Sequence, residues 1–271
     1  MFSEDFAYDG RWLSDYNYII CNFEASTGSQ IASAGSHITF NKVAINGGKN
    51  FALVGHQYDT CIEASFYICK NPEIFSVDDR TITSDELRDL MRWLNRGQFC
   101  KLRFFNNDGS EPVYYNASFN VEKVKVNDEL FGLKLNMQTD KPFGYGAAQE
   151  YKFDIKRTHL NKKYSVSVFS DELGDLIPDI KITCSAAGDL EINNTTNGSR
   201  LRIENCTMGE IITFDSQTLC FTSSTGRNIL DSFNYEFLKL TNTMAERTNR
   251  ITVSLPSVLS ITYTPIVKFG I

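Results

Sequence analysis

The chain has 271 residues, 42% of them hydrophobic, and a formal net charge of −6. That length exceeds what one core usually serves, so two domains are expected. The acidity excludes tight binding to nucleic acid or anionic membrane, because phosphate affinity rests on Lys and Arg.

The start, Met1-Phe-Ser-Glu-Asp-Phe, shows neither a basic nor an apolar signal region. No apolar run approaches the ~20 residues of a membrane helix. The expectation is a protein folded in a cytoplasm. Residues 16–24 read as a strand. The Gly/Ser-rich stretch 26–36 reads as a long loop or arm. Residues 36–45 alternate through Ile38, Phe40 and Val43 with a slip of the kind a bulge makes, and Asn46-Gly-Gly supplies a turn. A strand at 61–69 ends at Asn71-Pro, because a residue before proline is pushed out of regular geometry.

Residues 84–95 predict the one clear helix. Thr83 stands three residues before Glu86, the spacing of a capping box. Leu87, Leu90, Met91 and Leu94 recur on one face. Arg92 and Arg96 suit its negative end, and Gly97 is placed to terminate it. A strand at 98–105, the turn Asn106-Asn-Asp-Gly and a return strand at 112–122 form a hairpin signal. Residues 131–139 alternate Phe131, Leu133, Leu135 and Met137 with polar partners, which gives one buried and one wet face.

Proline and glycines make 141–149 the best linker. Short strands follow at 164–169, 178–184, 188–193, 199–204, 210–215, 217–222, 235–240, 249–254 and 258–267, with glycine turns between several of them. Strands at that density without a helix indicate a β-sandwich. The fold class is therefore mainly β. Residues 1–145 form an N-terminal β-rich domain with one α-helix, and residues 146–271 form a β-sandwich domain.

Chemistry is sparse. The seven cysteines (Cys21, Cys61, Cys69, Cys100, Cys184, Cys206, Cys220) form no C-x-x-C pair and read as buried free thiols. His37, His56 and His159 are far apart, so no metal site is expected. No nucleophile elbow, phosphate loop or dinucleotide fingerprint occurs. The carboxylate pairs Asp78-Asp79 and Asp85-Glu86 read as solvated. Asn116, Asn194 and Asn205 match a glycosylation acceptor by chance in an Asn/Thr-rich chain. Catalytic, cofactor-binding and metal residues are thus all expected to be none, and no binding residue is singled out.

An ordered set of segments spans nearly the whole chain. It runs from Phe6-Ala-Tyr-Asp-Gly through Ser84-Asp-Glu-Leu-Arg-Asp-Leu-Met-Arg-Trp-Leu, Cys100-Lys-Leu-Arg-Phe-Phe and Val113-Tyr-Tyr-Asn-Ala-Ser-Phe. It continues with Gly174-Asp-Leu-Ile-Pro-Asp-Ile-Lys-Ile, Gly209-Glu-Ile-Ile-Thr-Phe-Asp-Ser, Thr248-Asn-Arg-Ile-Thr-Val and Ile261-Thr-Tyr-Thr-Pro. In this order the chain resembles the distal tail protein (Dit) family of long-tailed, non-contractile bacteriophages. One departure is the run Glu246-Arg-Thr-Asn249-Arg-Ile, which lacks the glycine that often precedes the asparagine and implies a modified turn. The arm at 26–36 matches nothing in the family.

The resemblance implies a tail-tube-like first domain, a galectin-like second domain and a virion protein of the tail tip. It implies a homohexameric ring that leaves a channel for DNA. The implied partners are the tail tube protein, a tail-associated hub or lysin protein, and receptor-binding or other adhesion proteins. The first 145 residues carry 14 Lys+Arg against 19 Asp+Glu. Under that reading Asp78, Asp79, Asp108, Asp128 and Glu129 are expected to face the channel, where negative charge would not hold passing DNA. Two other functions stay open: a sandwich that recognises host-surface glycan, and a tail-associated glycan hydrolase or esterase. Both tryptophans, Trp12 and Trp93, lie in the first half, which weighs against glycan stacking in the second.

Overall fold

The computed structural model describes residues 5–23, 38–45, 48, 50–105 and 112–268. The arm at 26–36, most of the Asn46-Gly-Gly turn, the turn at 106–109 and Asp108 lie outside the described residues. The chain divides into two compact units, Met1–Gly146 with Val267–Ile271, and Ala147–Ile266. The sequence reading instead runs the second domain on to 271.

The first unit contains β1 (Phe6–Tyr8), β2 (Arg11–Trp12), β3 (Tyr18–Cys21), β4 (Ile38–Ala44), β5 (Phe51–Tyr58), β6 (Glu63–Lys70), α1 (Ser84–Leu94), β7 (Cys100–Phe104), β8 (Tyr114–Val126), β9 (Glu129–Thr139) and β10 (Gly144–Tyr145). Its main sheet runs β2-β1-β7-β8-β9-β6-β3, with β10 paired to β8. Alternate residues of each strand face one core: Phe66 and Ile68, Leu102 and Phe104, Tyr115, Ala117 and Phe119, Leu133, Leu135 and Met137. Period-2 patterning is what a sheet buried on one face requires. Asn127 and Asp128, both at positive φ, close the β8–β9 hairpin in the manner of a type I′ turn. A bulge between Val124 and Lys125 leaves Phe131 without a cross-strand partner, so it is only half-buried despite its place in the alternation.

The helix begins as its sequence dictates. Thr83 Oγ1 accepts from the Glu86 N–H, and the Glu86 carboxylate accepts from the Thr83 N–H. Two features differ from expectation. The buried face is Leu90, Trp93 and Leu94, whereas Leu87 and Met91 are only half-buried. The periodic rule counted aliphatics and passed over Trp93, whose indole stacks on Phe6 at 5.7 Å and donates to Tyr8 O. Nor does Gly97 take left-handed backbone. The helix stops because the Asn95 amide reaches Phe119 O, and Arg96 binds Trp93 O and Asp9. Leu90→Asp is therefore expected to cost about 4 kcal/mol or more, against ~1–2 for Leu87→Asp. Calorimetry of the two variants checks the order.

Gly132 is forced by close approach. A Cβ there would sit 2.5 Å from the Phe23 ring and 2.7 Å from Ile68 O. Backbone cannot swing aside as a side chain can, so Gly132→Ala is expected to cost roughly 1–3 kcal/mol, read as a lower Tm.

The second unit contains β11 (Gln149–Ile155), β12 (Tyr164–Ser167), β13 (Gly174–Leu176), β14 (Asp179–Cys184), β15 (Gly188–Asn194), β16 (Arg200–Cys206), β17 (Ile211–Asp215), β18 (Cys220–Ser223), β19 (Leu240–Asn242), β20 (Thr248–Val253) and β21 (Ser257–Tyr263). The last strand, β22 (Ile266–Val267), pairs with β10. Two sheets, β11-β21-β14-β17-β18 and β12-β20-β15-β16, enclose one core, and β13-β19 forms a separate ribbon. Ile180, Ile182, Ile212, Phe214, Leu259 and Ile261 enter the core from the first sheet. Val166, Leu190, Ile192, Leu201, Ile203, Ile251 and Val253 enter it from the second. This is a mainly β chain with a single α-helix among the described residues and a sandwich in its second half.

Several strand expectations move. β5 and β11 lie where no strand was expected. The expected strand at 235–240 is largely non-strand backbone, preceded by a 3-10 turn at Ile229–Ser232. The expected strand at 217–222 shrinks to β18, because Leu219 takes a left-handed φ of 55° in the turn before it.

Candidate assembly surface and buried polar clusters

Among the described residues β4 and β5 pair only with each other, as a two-stranded ribbon. Register places Ile38 opposite Tyr58, Phe40 opposite His56, Lys42 opposite Leu53, and Ala44 opposite Phe51. Directly opposed residues share a face, so this face is apolar at most positions. The other carries Thr39 opposite Gln57, Asn41 opposite Gly55 and, at one end, Val43 opposite Ala52. Between Asn41 and Lys42 the register slips, which makes Val54 the extra residue. The expected bulge thus lies on the partner strand, not within 36–45. Phe40, Leu53 and Phe51 are 52%, 63% and 68% exposed. A lone hairpin is marginal in water, and its apolar face lowers free energy only when covered. At its base, Thr39 Oγ1 donates to Asp59, and the Tyr58 ring lies 6.2 Å from Phe143.

The expected channel carboxylates sit on exposed turns. Asp78 and Asp79 belong to a 3-10 turn, where Ser76 Oγ donates to the Asp79 carboxylate. Asp128 and Glu129 lie at the β8–β9 hairpin. Of the second carboxylate pair, Glu86 is engaged: Lys70, itself buried, places its ammonium 2.8 Å from the Glu86 carboxylate and donates to Asp79 O. Burial opposes Glu86 ionisation, but the bonds from Lys70 and Thr83 outweigh it and hold the carboxyl below the usual range.

The main polar cluster of the second unit was not visible in sequence order. Glu210, 1% exposed, accepts from Arg227 Nε and Ser223 Oγ, both at 2.7 Å, and from the Thr207 N–H at 2.9 Å. Arg227 also donates to Glu204 O, Ser232 Oγ and, at 3.7 Å, Cys206 Sγ. Burial raises the Glu210 pKa, yet these donors prevail and hold it below the ordinary carboxylate value. The only local signal is Thr207 three residues before Glu210, a capping-box spacing here used in a β-turn. Nothing local points to Arg227, 17 residues away.

Asn194 and Asn249 form a second cluster. Asn194 Nδ2 donates to Lys239 O and Asn249 Oδ1, and Asn249 also accepts from the Thr241 N–H and donates to Thr241 O. Asn194 is fully buried, which bars glycosylation there in the folded chain. The implied modified turn takes form beside it: Glu246 Oε1 accepts from the Thr248 N–H, and Thr243 N–H donates to Glu246 O.

Of the cysteines, Cys100, Cys184 and Cys206 are buried, Cys21 and Cys69 are half-buried, and Cys61 and Cys220 are exposed, contrary to the uniform expectation of burial. Cys220 is exposed because it opens β18, the edge strand of its sheet. His56 lies on the ribbon, His159 in a 3-10 turn, and His37 outside the described residues. Among the described residues no three His, Cys, Asp or Glu side chains group as metal ligands would. Trp93 is buried; Trp12 packs edge-on to Phe105 beneath the Arg103 guanidinium.

One solved structure shares this fold. The Dit (gp 19.1) protein of phage SPP1, described as a paradigm of the hub adsorption apparatus in phages infecting Gram-positive bacteria, aligns with a TM-score of 0.64. Its identity is 14%, over 96% of this chain and 98% of that one. Two structures of the phage p2 baseplate in its activated conformation, with calcium and with strontium, align at TM-scores of 0.46 and 0.45. Identities are 12% and 10%, over 97% and 96% of this chain and 98% and 97% of theirs. No curated protein matches the sequence. Residues 1–141 match the family model for a phage tail protein N-terminal domain, and residues 143–263 the model for a phage tail C-terminal domain. The chain belongs to this family of phage tail proteins and has a Dit-like fold.

Proposed function

We propose that the chain is a structural hub of the phage tail tip, whose copies close into a six-membered ring joining the tail tube to the adhesion apparatus. The observation that carries this is the β4–β5 ribbon. Among the described residues its Phe40, Phe51 and Leu53 side chains are mostly exposed, and a neighbouring copy supplies a cover of matching chemistry. The contact is heterologous, ribbon against a different surface, and such a contact makes a ring when its rotation closes. The first unit forms the ring, and Asp78, Asp79, Asp128 and Glu129 face its channel. The sandwich unit carries receptor-binding or other adhesion proteins, and the role is non-enzymatic.

Family membership and the fold shared with SPP1 Dit support this reading. Mass photometry of the purified chain is expected to show a species of about six times 30.7 kDa, or paired rings of twice that. A monomer at all accessible concentrations would remove the ring from the proposal.

A further inference from the structure

We infer that Cys184 and Cys206 form a dithiol that closes to a disulfide between the two sheets of the sandwich once the protein meets an oxidising medium. Cys184 ends β14 in the five-stranded sheet and Cys206 ends β16 in the four-stranded sheet. Both are buried in the same core, where the Cys206 thiol donates to Ile203 O at 3.5 Å and each thiol shifts the ionisation of the other. The backbone fixes the approach: Gly209 N–H donates to Cys184 O at 2.8 Å, and Cys184 N–H donates to Glu210 O at 2.9 Å. The turn after Cys206 is thereby pinned directly onto the end of β14.

The chemistry around the pair is asymmetric. Cys206 Sγ lies 3.7 Å from the Arg227 guanidinium. The neighbouring Cys184 thiol and this cation hold the Cys206 thiol below its ordinary value, against the cost of burial. The neighbouring Cys206 thiol and burial push the Cys184 thiol up. Cys206, which has the Arg227 cation beside it, is the attacking thiolate, and Cys184 is the resolving thiol. With a small-molecule disulfide as oxidant, the Cys206 thiolate attacks one oxidant sulfur and expels the other as a thiolate. Cys184 then gives up its proton and displaces the second. The two protein thiols lose two electrons and two protons, which the oxidant takes up as two thiols. Because both thiols are buried, exchange waits on local opening.

A second pair, Cys21 and Cys69, lies diagonally across the neighbouring strands β3 and β6. Those strands are already laddered, so a bond there adds little constraint. Cys184–Cys206 links two sheets with no ladder between them, closing a loop of about 20 residues, a size at which a crosslink restricts the unfolded chain appreciably. Virion surfaces are among the places where such bonds persist.

The test uses the full chain, purified reduced and incubated with oxidised glutathione, then quenched in acid, alkylated under denaturing conditions and mapped by mass spectrometry. The expected result is a Cys184–Cys206 crosslinked peptide, reversed by dithiothreitol, with the sandwich transition raised by roughly 5–15 °C. In Cys184→Ala/Cys206→Ala the oxidant is expected to leave that transition unmoved. Arg227→Lys, which keeps a cation near Cys206, is expected to retain crosslinking. Full alkylation of Cys184 and Cys206 after prolonged oxidation would overturn the inference, as would a bridge confined to Cys21 and Cys69.

Discussion

Arg227→Ala is expected to lower the stability of the sandwich unit by about 3–5 kcal/mol, because it leaves the buried Glu210 carboxylate without its counter-ion. Over a unit of this size that corresponds to a fall in Tm of roughly 12–20 °C. Calorimetry of the full chain reads it, with the affected transition assigned by hydrogen exchange in β14 and β21. Arg227→Met with Glu210→Leu is expected to cost less than Arg227→Ala alone, since no charge is then stranded.

The same carboxylate sets an acid dependence. Its folded-state pKa lies below the ordinary value, so the unfolded chain takes up the proton more readily. The contribution is complete above the unfolded carboxyl range of about pH 4–5 and is lost as pH falls through the lower folded value. Glu210→Gln is expected to flatten that part of the stability profile. An unchanged profile below pH 5 would assign the acid dependence elsewhere.

Phe51→Asp with Leu53→Asp is expected to abolish self-assembly while leaving the monomer's Tm nearly unchanged. Both side chains are mostly exposed within the chain, so their replacement costs its own fold no more than about 0.5 kcal/mol. Asp on the neighbouring copy's apolar surface, in contrast, leaves a charge desolvated and unpaired. Asn41→Asp, on the opposite face of the ribbon, is the control and is expected to assemble. Sedimentation velocity distinguishes the variants. Assembly by the double variant at wild-type concentration would show that the ribbon is not the contact.

Local chemistry made much of this fold legible. The capping box at Thr83 and Glu86 announces the helix start, and the alternation through Leu133, Leu135 and Met137 names the buried face of β9. What sequence order concealed has identifiable causes. In β5, the bulge at Val54 breaks the period that would mark a strand. β11 alternates cleanly through Tyr151, Phe153 and Ile155, but it lies between the linker at 141–149 and the strand expected at 164–169, where no element was expected. Trp93 escaped because the helical stripe was traced through aliphatic residues alone. Arg227 pairs with Glu210, and Cys184 meets Cys206, through the packing of separate strands, which no local pattern encodes.

In the role proposed above, the chain works by closing into a ring. Negative-stain class averages of the purified wild-type chain test it most directly. A six-fold ring with a central opening is expected, absent from the Phe51→Asp/Leu53→Asp variant. Single compact particles, or oligomers without an opening, would contradict it.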